Sequence, residues 1–146
     1  MIYALLMMLA EPTQIVVPVI FTAEQQRDIT CVAVLAMASA AQKRGDNMLE
    51  LPADLPLNGK RWTAIVGQRV MEQSGAPKEL VAIAMTEAAK AEQAALQSAT
   101  DPKGLAKERI NACLPLMQAD LLANAPLPKP QSAKPQLAKP LSSAKK

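Results

Sequence analysis

The sequence predicts an all-α fold, a small bundle of about four helices with a disordered Lys/Pro-rich C-terminal tail, and three observations lead to it. Four stretches between Thr22 and Asn124 repeat apolar residues at helical spacing, and capping residues, glycines or prolines punctuate them. Half of the 146 residues are apolar, yet the aromatic side chains are only Tyr3, Phe21 and Trp62, so alanine, methionine and aliphatic residues must fill the core. Two lone cysteines, Cys31 and Cys113, each sit inside an apolar helix-like run and suggest one covalent link across that core.

Residues 1–21 form an apolar N-terminal segment. MIYALLMMLA has the length of the hydrophobic region of a secretory signal, with cleavage conceivable after Ala10. No Lys or Arg precedes the run, and Met8 stands where such a site wants a small residue. In a second reading the segment stays, and IVVPVIF packs as an extended edge that Pro18 restricts. A membrane anchor is a third, weaker reading, because Glu11, Pro12, Gln14 and Pro18 would all lie in hydrocarbon.

Residues 22–124 form the helical domain. Thr22 to Gly45 opens on TAEQ, a capping box of Thr22 and Gln25, and closes on Gly45, which suits the left-handed turn after a helix. Only Thr30 and Ser39 are polar between Ile29 and Ala41, so this helix is apolar on nearly every side and should be central. Asp46 to Leu57 holds Pro52 and Pro56 among leucines and reads as an irregular connector laid over the core. A second helix is expected from Asn58 to Ser74, stopped by Gly75, with Trp62, Ile65, Val66 and Val70 on its stripe and Arg69 beside it, stem on the core edge and charge in water. Pro77 is expected to start a third helix, whose face runs Leu80, Val81, Ala84, Ala88, Ala91 and Ala95; its second half is all alanine and buries little area. Asp101 and Pro102 cap a fourth, with Ala106, Ile110, Cys113, Leu114, Met117 and Leu121 as its stripe. Pro115 deletes the hydrogen bond to the Asn111 carbonyl and predicts a kink just after Cys113.

In an up-down bundle the first and fourth helices are antiparallel neighbours. Cys31 lies about eight residues past Ala23 and Cys113 about eleven before Asn124, so at roughly 1.5 Å per residue their levels differ by only about 5 Å. A disulfide between them is therefore the expectation; two reduced, buried thiols are the alternative. No CxxC motif supports redox catalysis.

Residues 125–146 change composition to an imperfect five-residue repeat, KPQSA, KPQLA and KPLSS, which favours a disordered, polyproline-like tail. Lys129, Lys134, Lys139, Lys145 and Lys146 lie there without an acidic partner, leaving 11 basic and 13 acidic side chains elsewhere. These lysines are the candidate anion contact, able to neutralise about five phosphates weakly and in a salt-sensitive way. In composition alone the tail is similar to the Lys/Pro/Ala-rich ends of linker histones and granule-coating phasins, a similarity that assigns no functional residue.

Catalysis finds little support. The chain has no histidine, which removes the commonest general base and the commonest transition-metal ligand together. Gly59, Lys60 and Arg61 fail as a phosphate loop, since Asp54 stands where the first glycine belongs and no Ser or Thr follows the lysine. Glu79, Glu87, Glu92 and Glu108 read as solvated helix surface rather than an acid/base pair, and no cofactor or metal site is expected. The sequence thus points to a non-catalytic small exported helical protein, periplasmic or secreted, that binds or scaffolds an unknown protein partner in the cell envelope. The alternative is a cytoplasmic accessory protein that coats nucleic acid or another anionic surface through its basic tail.

Overall fold

Among the described residues of the computed structural model, four helices follow in succession: α1 (Ala23–Lys43), α2 (Leu55–Ser74), α3 (Lys78–Ser98) and α4 (Pro102–Ala123). The structure describes residues 20–46 and 49–125. The expectations for the tail and for nearly all of the N-terminal segment lie outside the described residues; of that segment Phe21 packs against the core and Ile20 is exposed.

Helix α1 begins on the capping box. The Gln25 backbone N–H donates to Thr22 Oγ1 at 3.2 Å, and the Thr22 N–H donates to Gln25 Oε1 at 2.9 Å. Beyond its last turn Gly45 adopts φ 81°, where a side chain is unfavourable. Residues 31–35 are all buried, and five consecutive positions pass the whole circumference of a helix. Accordingly α1 packs against each of the other three helices and is the centre of the bundle.

The connector after α1 lays Leu49 and Leu51 against the core, and Gln42 Nε2 pins it by donating to the Pro52 carbonyl at 3.1 Å. Helix α2 starts at Leu55, three residues before the expected Asn58. Asp54 precedes it without making a side-chain cap bond, while Pro56 falls in the first turn, where a missing N–H costs nothing. Leu55 itself is fully buried, so insertion into the core rather than a local cap sets this start. Trp62, Val66 and Val70 are buried as their spacing predicts, and Gly75 ends the helix at φ 69°.

Pro77 caps α3 from outside rather than opening it, so the helix begins at Lys78. Its inward face runs Val81, Ala84, Met85, Ala88 and Glu92, whereas Ala91 is exposed. Of the expected stripe only Ala91 is exposed; Leu80 and Ala95 are half-buried, and Glu92 takes the inward place beside Ala91. In α4, Asp101 accepts a hydrogen bond from the Gly104 N–H at 2.9 Å, and Ile110, Cys113 and Met117 are buried. The helix runs on through Pro115 to Ala123. Pro115 and Asn111 are both exposed, so water can take the place of the lost N–H at the Asn111 carbonyl. No helix among the described residues is long and apolar enough to cross a membrane.

Candidate functional site

The two cysteines meet. Cys31 of α1 and Cys113 of α4 form a disulfide between positions 82 apart in sequence, with their Cα atoms 5.2 Å apart. Both are buried among the apolar residues that the two helix stripes bring together. The candidate anion contacts Lys129, Lys134, Lys139, Lys145 and Lys146 lie outside the described residues.

Beside the disulfide lies a polar network that joins three helices. Asp28 of α1, with 6% of its side chain exposed, accepts from Arg27 Nη2 at 2.8 Å through Oδ1 and from Arg69 Nη2 at 2.8 Å through Oδ2. Asp120 of α4 accepts from Arg69 Nη1 and Nη2, each at 2.9 Å, and from Trp62 Nε1 at 2.7 Å. Arg69 thus does not hold its charge in water: its guanidinium bridges two carboxylates, because a buried carboxylate is tolerable only beside a cation and donors. The Arg69 hydrogen bonds hold the Asp120 carboxyl below the usual carboxylate range against the opposing effect of burial, with Trp62 adding to the lowering. The bond to Asp120 in turn raises Arg69, although burial opposes it.

Chemically this cluster is a clamp. Each carboxylate is engaged by two or more donors and lowered basicity makes Asp120 a poor proton acceptor, so the arrangement supports packing rather than acid/base work. Among the described residues no group of three His, Cys, Asp or Glu side chains is placed to hold a metal ion. Gly59, Lys60 and Arg61 lie inside α2, with Gly59 buried and Arg61 donating to the Asn124 carbonyl at 3.3 Å.

Glu79, Glu87 and Glu108 are exposed, as a solvated surface requires. Glu92 departs from that expectation: it is buried at 9% exposure and stands 3.8 Å from Arg109 Nε across the α3–α4 contact. Helical spacing contained the signal for all three missed carboxylates. Asp28 precedes buried Cys31 and Val32 by three and four residues, Asp120 follows buried Met117 by three, and Glu92 follows partly buried Ala88 by four. A carboxylate on an apolar stripe implies a cation facing it, and Arg69 and Arg109 are those cations.

Glu92 and Arg109 also line a cavity of about 460 Å³ between the end of α1, the end of α3, the start of α4 and the connector. Comparisons of the chain with protein-family models, with curated proteins and with solved structures find no match.

Proposed function

We propose that the chain is a non-catalytic helical protein exported to an oxidising compartment of the cell envelope, periplasmic or secreted, where it binds or scaffolds a protein partner. The Cys31–Cys113 disulfide carries this reading, because structural disulfides form and persist outside the reducing cytosol. Among the described residues Trp62 is the one fully buried ring, so such a link supplies a larger share of the stability here than it would beside a ring-rich core. The non-catalytic part is supported by the lack of histidine and by the engagement of Asp28 and Asp120 with fixed donors. Leu57, Ile83 and Leu122 leave one exposed apolar contact point on each of α2, α3 and α4.

Fractionation of cells expressing the chain, combined with chemical cross-linking, tests the proposal. Recovery in the periplasmic or secreted fraction, with a discrete cross-linked partner, is the expected result. Recovery of the full-length chain in the cytosol would contradict it and favour the tail-mediated coating role.

A further inference from the structure

The bundle is filled unevenly. Leu35, Leu55, Trp62, Val66 and Val70 pack without solvent access, whereas the space beyond Ala38 on α1 opens into the cavity of about 460 Å³. No residue of α2 lines it. That helix enters the fold at Leu55, and the connector residues Leu49 and Leu51 cover ground that a fourth helix would otherwise cover. The helical residues facing the space include Ala38, Ala41 and Ala106, which are too short to close it. The space is half open to solvent, and its size falls within the roughly 300–1,000 Å³ of small-molecule sites.

Its chemistry is two-sided. The walls are apolar, with Val34, Met37, Leu96 and Ile110 among them, while Arg44, Lys103 and Arg109 contribute three cations. Of the carboxylates lining the same space, Glu92 is engaged by Arg109, and Asp46 has an interaction of its own. The side chains of Arg44 and Lys103 make no hydrogen bond or ion pair among the described residues, and both residues are exposed. An apolar slot bordered by two unengaged cations selects an apolar body with an anionic end, because the tail leaves water while the head meets charge-assisted donors.

We propose that this cavity binds a single-chain anionic amphiphile, with its hydrocarbon tail among Val34, Leu96 and Ile110 and its carboxylate or phosphate head against Arg44 and Lys103. The site is separate from the exposed apolar contact points assigned to a protein partner, so either proposal can fail without the other.

Calorimetric titration of the full, disulfide-bonded chain tests it, using dodecanoate, dodecyl phosphate, dodecanol and dodecyltrimethylammonium below their micelle concentrations. One anionic molecule should bind per chain, about tenfold or more tighter than the alcohol or the cation. Tighter dodecanoate would identify fatty carboxylates as the source, and tighter dodecyl phosphate would identify phosphate-headed lipids. The double variant Arg44→Glu/Lys103→Glu should weaken anion binding about tenfold or more while leaving the circular-dichroism spectrum unchanged, since both side chains are exposed. Ala106→Trp should abolish binding by filling the space. If Ala106→Trp fails to fold, the charge-reversal variant still decides. No saturable binding, equal binding of the alcohol or the cation, or undiminished anion binding in the charge-reversal variant or in folded Ala106→Trp would overturn the proposal.

Discussion

Arg69 gives the polar network its energetic meaning, because one guanidinium compensates two carboxylates on different helices. Replacing it by methionine keeps the aliphatic stem but leaves Asp28 and Asp120 short of their shared cation. Breaking a buried pair in this way costs about 3–5 kcal/mol, and the 31% exposure of the Arg69 side chain places the expected loss near the lower end. Urea denaturation of Arg69→Met measures it, and a loss below about 1 kcal/mol would reduce the network to an ordinary surface pair. Asp120 adds a pH signature. Its folded pKa lies below the unfolded value, so its contribution is complete above about pH 3.9 and is lost as pH falls through that range toward the folded value. The stability gap between the parent chain and Asp120→Asn should therefore shrink on acidification from pH 6 to pH 3. A gap that stays constant would contradict the assignment. These carboxylates were legible in principle by their helical spacing, but their partners were not. Which cation meets Asp28 depends on how α2 lies against α1, and no local pattern encodes that.

At the scale of elements, the sequence was most informative where the determinant is local. The capping box of Thr22 and Gln25, the left-handed glycines at 45 and 75, the Asp101 cap and the α4 stripe all occur as their residue types predict. It was least informative where burial decides. Helix α2 begins at Leu55 because that side chain enters the core, and on α3 Glu92 rather than Ala91 turns inward to meet Arg109, since alanine at 91 has little apolar area to bury. Two substitutions separate a burial-driven start from a capped one. Leu55→Ala should cost about 2–5 kcal/mol in denaturant, while Asp54→Ala should stay within about 0.5 kcal/mol because the Asp54 side chain makes no bond to the helix backbone and its one bond, from Asn58 Nδ2, is exposed. The reverse ranking would show that α2 is set locally after all.

For the whole molecule, the organising fact is that the first and last helices of the bundle are covalently joined. Counting residues along antiparallel helices placed Cys31 and Cys113 at similar heights, and the Cα separation of 5.2 Å agrees with it. The cavity was not legible in this way, since it follows from where α2 enters rather than from any one segment. A loop of this length gives on the order of 4–5 kcal/mol in the chain-entropy treatment, against roughly 5–15 kcal/mol for the total stability of a domain. The link therefore ties the fold to the redox state of its surroundings. The most direct test is to quench cells expressing the chain in acid, alkylate under denaturing conditions without reductant, and measure the intact mass. The account predicts a chain lighter by two hydrogens with no alkyl adduct on Cys31 or Cys113; two adducts on freshly quenched material would contradict it.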